Sequence, residues 1–126
     1  MIYEVNIPNI SAAEWEVMKV LWKKSPVTSQ EVIDQLSEPM EWSPKTVKAL
    51  INRLLKKGAI QFEAAGRVYY YSPLVAEEDC IREERKTFLQ RIYGGALSPM
   101  LAHFIQDEQL SKEEIEELKK MLEEKR

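Results

Sequence analysis

The sequence predicts a mainly α-helical fold carrying one small β-hairpin, and three observations predict it. Serine and threonine residues followed three positions later by glutamate recur along the chain, as helix caps do. Apolar residues after each cap return at helical spacing. Only one stretch, just after Gly58, changes to the alternation of extended strands. The chain has 126 residues, 44% of them apolar and 31% charged. That is room for one ordinary domain or a small module with a dependent appendage, in a composition that folds.

Ser11 with Glu14 forms the first capping box, and Ile10 and Trp15 are placed as its hydrophobic staple. The helix it opens carries Trp15, Met18, Leu21 and Trp22 on one stripe, and Ser25-Pro26 ends it. Thr28 with Glu31 is the second box, flanked by Val27 and Val32. Its helix is short, turns Val32, Ile33 and Leu36 inward, and is expected to stop before Pro39. Ser43-Pro44 opens the third helix with a serine cap and proline at the first helical position. That helix runs to Lys57, where Gly58 supplies a left-handed stop.

Two β-prone runs follow, Ala59-Ile60-Gln61-Phe62-Glu63 and Arg67-Val68-Tyr69-Tyr70-Tyr71, around Ala64-Ala65-Gly66. Ser72-Pro73 closes the hairpin and sets the expected domain boundary, with a head over 1–73 and a tail over 74–126. The tail reads as helical throughout. Val75 to about Tyr93 carries Cys80 or Ile81, then Phe88, Leu89 and Ile92, until Gly94-Gly95 breaks it. A short helix from Ser98-Pro99 to Ile105 places Met100, Leu101, Phe104 and Ile105 on its apolar side. Ser111 with Glu114 caps the last helix, with Leu110 and Ile115 as staple and Ile115, Leu118, Met121 and Leu122 as its stripe.

Three such amphipathic helices bury too little surface to stand alone. They pack either on the head or on a second chain, and the long helix with its glycine hinge favours a second chain. The residues expected to line a dimer core are Phe88, Ile92, Leu101, Ile105, Ile115, Leu118 and Leu122.

Three helices with a short turn between the second and third, then a hairpin, is the element order of a winged helix-turn-helix. There the third helix enters the major groove and needs a basic, polar outer face. At about 100° per residue, Val47, Leu50, Ile51 and Leu54 fall on one side of the third helix. Lys45, Lys48, Ala49, Asn52 and Lys56 fall on the other, with Arg53 at its edge. The outer face thus offers cations for phosphates, an amide able to read an adenine edge, and a small residue for close approach. Ser43 and Thr46 stand at the helix start, where backbone amides favour a phosphate. Arg67, at the hairpin turn, is a further candidate phosphate contact.

The net charge of −3 does not argue against this, because the charge is uneven. Residues 1–72 hold nine Lys/Arg against eight Asp/Glu, a balance of +1, and residues 73–126 hold nine against thirteen, a balance of −4. Between Trp42 and Phe62 there are five basic residues and no acid. Screening limits charges to a reach of about 8 Å in physiological salt, so the local face decides.

Other chemistry finds little support. Cys80 is the one cysteine, so no internal disulfide or multi-cysteine metal site forms, and Glu77, Glu78 and Asp79 beside it disfavour a thiolate. His103, the one histidine, sits among Met100, Leu101, Phe104 and Ile105 and reads as a structural or rim residue rather than a catalyst. The acidic stretch 107–124 lacks the alternating oxygen-ligand loop of a calcium site. No phosphate loop or dinucleotide fingerprint is present. The expectation is a non-enzyme without cofactor or metal. No apolar run spans a bilayer, and Met1-Ile-Tyr-Glu-Val-Asn6 lacks the regions of a signal peptide, which points to the cytoplasm. The rival within the same fold is a winged-helix protein-interaction module without sequence-specific DNA binding. The acid-free basic span favours DNA.

The runs Ile10-Ser-Ala-Ala-Glu-Trp-Glu-Val-Met18, Trp42-Ser-Pro-Lys-Thr-Val47 and Leu54-Leu-Lys-Lys-Gly58 resemble the penicillinase repressor (BlaI/MecI) family. The likeness continues through Tyr69-Tyr-Tyr-Ser-Pro-Leu74, Tyr93-Gly-Gly95 and Leu110-Ser-Lys-Glu-Glu-Ile-Glu-Glu-Leu118. It implies a homodimeric transcriptional repressor with winged-helix heads on two half-sites of a palindromic double-stranded operator, as in control of β-lactamase or related resistance genes. It implies dimerisation through the C-terminal helices. It also implies a membrane-bound sensor zinc protease whose signal leads to cleavage of the repressor in its tail. The family's asparagine–phenylalanine scissile bond falls on His103-Phe104, where phenylalanine is kept and asparagine is replaced. The copper-responsive branch carries a C-terminal cysteine cluster that this sequence lacks.

Overall fold

The computed structural model describes residues 6–125; residues 1–5, on which most of the leader expectation rests, lie outside them. The elements are α1 (Ala12–Lys23), β1 (Val27–Thr28), α2 (Ser29–Met40), α3 (Pro44–Lys57), β2 (Ile60–Ala65), β3 (Val68–Pro73), α4 (Glu77–Tyr93), α5 (Leu97–Asp107) and α6 (Lys112–Glu124). The fold is mainly helical with one small antiparallel sheet in the order β1-β3-β2. The chain divides into two compact units between Glu83 and Glu84.

The first unit is built around inward stripes. Val17, Met18 and Leu21 of α1, Val32, Ile33 and Leu36 of α2, and Val47, Leu50, Ile51 and Leu54 of α3 are buried together. The helix starts that position these stripes are complete capping boxes at Ser11/Glu14 and Thr28/Glu31, in which hydroxyl and carboxylate each satisfy a backbone N–H that the first turn leaves unpaired. Trp15 and Trp22 meet edge to face, 5.5 Å between ring centroids. The Trp22 indole donates to the Val75 carbonyl at 2.9 Å, tying α1 to the segment after the sheet. Val75 and Cys80 lie in this same core. The first unit therefore continues past Pro73 into the start of α4, whereas the sequence pattern places the boundary at 73, where the hairpin closes.

Differences from the sequence reading are local. α2 does not stop before Pro39 but contains it, ending at Met40 with Glu41 in the left-handed conformation at φ 56°. In the last turn a proline forfeits a single intrahelical bond, too little to unwind a helix whose inward face is already packed. The hairpin strands are longer than expected, since Ala64 stays paired with Tyr69 and Ala65 with Val68. That leaves a two-residue loop, Gly66-Arg67, with φ 66° at the glycine, as a type II′ turn needs. A strand absent from the sequence reading, β1, pairs Val27 with Tyr71 and Thr28 with Tyr70. Two residues carry no alternation to detect.

α3 ends as its sequence predicts. Gly58 takes φ 76°, its N–H bonds to the Leu55 carbonyl at 3.1 Å, and the Ala59 N–H returns to the Leu54 carbonyl at 3.0 Å. This is the double closure of a Schellman motif, with Leu54 and Ala59 both buried beneath it. A Cβ on Gly58 would meet no atom within 4 Å. Gly58→Ala is therefore expected to cost only the left-handed strain, about 1 kcal/mol, read as a lowered urea midpoint with unchanged slope. An unshifted midpoint would refute this account of the stop.

The second unit is α4 from Glu84 onward with α5 and α6. Gly94 and Gly95 both take positive φ, 60° and 89°, where the sequence expects the break. α5 begins at Leu97, with Ala96 as a cap that makes no side-chain bond, rather than at Ser98-Pro99, and it runs on to Asp107. Pro99 then falls in the first turn, where its missing N–H costs nothing. α6 opens on a third complete capping box, Ser111 with Glu114. Neither α5 nor α6 contains a buried residue. No described helix is long and apolar enough to cross a membrane.

Candidate nucleic-acid interface

α3 separates its two faces completely. Val47, Leu50, Ile51 and Leu54 are at most 4% exposed, while Ser43, Lys45, Thr46, Lys48, Ala49, Asn52, Arg53 and Lys56 are all exposed. The geometry thus brings together on one surface the α3 residues that the sequence singles out. Ser43 is committed locally, because its hydroxyl accepts the Thr46 N–H at 3.2 Å and lies 3.1 Å from the Thr46 hydroxyl. Lys45, Lys48, Arg53 and Lys56 make no ion pair with a carboxylate among the described residues. Their charges are available to a polyanion. Arg67 stands exposed in the two-residue loop of the hairpin.

Tyr69 and Tyr71, two positions apart on β3, share one face of the hairpin with Phe62 but differ in burial. Tyr71 is buried at 8%, whereas Tyr69 is 46% exposed and stacks on Phe62 with ring centroids 4.3 Å apart. Burial, and to a lesser degree the neighbouring Tyr69, pushes the Tyr71 hydroxyl above its ordinary pKa. Tyr71 thus anchors the hairpin in the core, while Tyr70, 39% exposed, lies on the opposite face of β3.

One contact lay outside sequence reasoning. Lys57 belongs to the basic run, yet its ammonium turns away to the start of α1, where it pairs with Glu14 and donates to the Asn9 carbonyl at 2.7 Å. Glu14 is visible in sequence as half of a capping box, its Oε1 accepting the Ser11 N–H at 2.8 Å. Its second partner is 43 residues away and has no local signal. Burial pushes the Glu14 carboxyl up, but hydrogen bonds from Lys57 and Ser11 outweigh this and hold it below its ordinary value of 4.5.

A carboxyl with a lowered folded pKa adds stability above its unfolded pKa and loses it as pH falls through the folded value. Melting temperatures from about pH 7 down to about pH 3 are therefore expected to fall less steeply for Glu14→Gln than for the parent. Parallel acid limbs would contradict this role for Glu14.

The remaining candidates for chemistry are dispersed. Cys80 is 2% exposed, and burial, then the Asp79 charge, raises its thiol pKa, which disfavours the reactive thiolate. His103 is exposed, with Nδ1 3.0 Å from the Tyr93 hydroxyl. A groove of about 620 Å³ bordered by α1 and α2 contains neither. No cluster of metal-binding side chains occurs among the described residues.

The sequence model of the penicillinase repressor family matches residues 10–124. The chain belongs to that family. It is 48% identical to the penicillinase repressor of Bacillus licheniformis over 118 residues, covering 94% of this chain and 92% of that protein. It is 38% identical to the methicillin resistance regulatory protein MecI of Mammaliicoccus sciuri over 116 residues, 92% of this chain and 94% of that one. Among solved structures it resembles the monomeric form of Bacillus licheniformis BlaI in complex with the blaP half-operator. There the identity is 50% and the TM-score 0.53, over 59% of this chain and 90% of that chain. Members of this family are repressors, and the winged-helix arrangement of the first unit agrees with that membership.

Proposed function

We propose that the chain is a homodimeric, sequence-specific DNA-binding repressor that sets α3 of each copy on one half of a palindromic operator. The observation that carries this reading is the clean division of α3, whose outer face holds, beside Asn52, four cations without an ion pair among the described residues. The BlaI structure bound to a half-operator supports it by likeness. Lys45, Lys48, Arg53, Lys56 and Arg67 neutralise phosphates, Ser43 and Thr46 seat the helix start against the backbone, and Asn52 reads a base edge.

The second copy follows from the tail. Leu101, Ile105, Ile115, Leu118 and Leu122 are between 39% and 67% exposed in the single chain, and Ile92 is 54% exposed. Together with the half-buried Phe88 they form the apolar surface that pairing covers. The protein acts in the cytoplasm, without catalysis, on β-lactamase or related resistance genes. Release from DNA follows cleavage of the tail downstream of a membrane-bound sensor zinc protease. The His103-Phe104 bond lies inside α5 with both residues exposed.

Selection from a random duplex pool by the full chain tests the reading. Enrichment of an inverted repeat with half-site centres about 34 Å apart, or a multiple of it, is expected. A pool that emerges unenriched would overturn it.

A further inference from the structure

Lys57 and Glu14 do something the basic run alone does not suggest. Lys57 is the last residue of α3, and both acceptors of its ammonium, the Glu14 carboxylate and the Asn9 carbonyl, lie at the start of α1. Glu14 is only 1% exposed, and its Oε2 is buried without a hydrogen-bond partner among the described residues. A carboxylate in that position requires its cation, because leaving it unpaired and buried is far costlier than keeping the pair. The same Oε1 also accepts the Ser11 N–H, so the ion pair is locked into the cap of α1. On the other side the Schellman closure at Gly58 leads directly into β2, and the N–H of Leu74, the residue after β3, bonds to the Ala59 carbonyl at 2.8 Å. The end of α3 is thus held between the start of α1 and the segment that follows β3.

We propose that Glu14 and Lys57 form a positioning pair that fixes how α3 sits on α1, and that Lys57 touches no phosphate. This rests on the DNA-binding reading above. Base-edge hydrogen bonds need side chains placed to within about 0.5 Å. Phosphate attraction acts over roughly 8 Å and tolerates a shifted helix. Loss of the pair therefore lowers selective binding and spares non-selective binding.

The experiment titrates the full chain, Lys57→Met, Lys57→Arg and Glu14→Gln against the duplex recovered by selection and an unrelated duplex of equal length, across a range of salt. Lys57→Met and Glu14→Gln are expected to lose about tenfold in affinity for the selected duplex. Their affinity for the unrelated duplex and their salt slopes stay those of the parent, and Lys57→Arg restores selective binding. The double variant Glu14→Gln/Lys57→Met falls no further than either single one, as one shared interaction requires. Should Lys57→Met not fold, this double variant, which removes both charges together, takes its place with the same expectation.

Parent-like selective affinity in Lys57→Met overturns the positioning role. A salt slope reduced by about one on both duplexes makes Lys57 a phosphate contact and overturns it as well. A parent that binds neither duplex overturns the DNA reading itself, and the positioning role with it.

Discussion

Replacing Ile115 and Leu118 together by glutamate is expected to give monomers in sedimentation and to weaken binding to the inverted-repeat duplex by about 10²–10⁴-fold. The size of the effect comes from linkage, since in a dimer the second head binds at an effective concentration set by the tail. Both residues are on the apolar stripe of α6, 39% and 42% exposed in the single chain, and α6 buries nothing of its own. A charge placed there costs the single chain little, whereas buried in a paired interface it lacks a partner and is expensive. Binding to a half-site duplex should be unchanged, which separates loss of pairing from loss of the head. Monomers that bind the full repeat as tightly as the parent would refute the dimer.

The double variant Lys48→Ala/Arg53→Ala is expected to lose about ten- to a hundredfold in affinity at moderate salt, and its log–log salt slope should flatten by about 1.8, some 0.9 per phosphate contact removed. Both side chains are exposed on α3 and free of ion pairs among the described residues, so no internal contact is lost and the fold should survive. Asn52→Ala makes the complementary case. It should leave the salt slope alone and relax the preference at one base position, because an amide on a base edge discriminates without releasing counterions. An unaltered slope in the double variant would move the phosphate contacts off this face.

Much of the fold was legible because helix starts are local chemistry. All three capping boxes, the proline-led start of α3 and its glycine stop depend on residues within one turn of each other. The division of α3 into buried and exposed faces was legible for the same reason, as one periodicity over fourteen residues. What was not legible involves partners distant in sequence. β1 exists because Val27 and Thr28 meet Tyr71 and Tyr70 across the chain. Pro39 is tolerated because tertiary packing of Val32, Ile33 and Leu36 holds the helix that it would otherwise end. Val75 and Cys80 extend the head's core beyond the turn residues that close its hairpin.

The site shows the same limit. Lys57 and Lys56 are neighbours with the same charge, and composition cannot tell them apart. One faces outward and the other reaches back to Glu14, a distinction made by the direction of the side chain at the helix end. In the tail the apolar stripes could be read, but stripes alone do not name what covers them. The exposure of Ile105, Met121 and Leu122, at 58%, 60% and 67% in the single chain, is what argues for a second copy.

The central claim is that two chains, joined by their tails, place one α3 each on the two halves of one operator. Sedimentation of the full chain with the duplex recovered by selection measures this directly, through the mass of the complex. The account predicts two chains per duplex, and one chain on a duplex cut to a single half-site for the Ile115→Glu/Leu118→Glu variant. A saturated complex holding one parent chain per full duplex would contradict it.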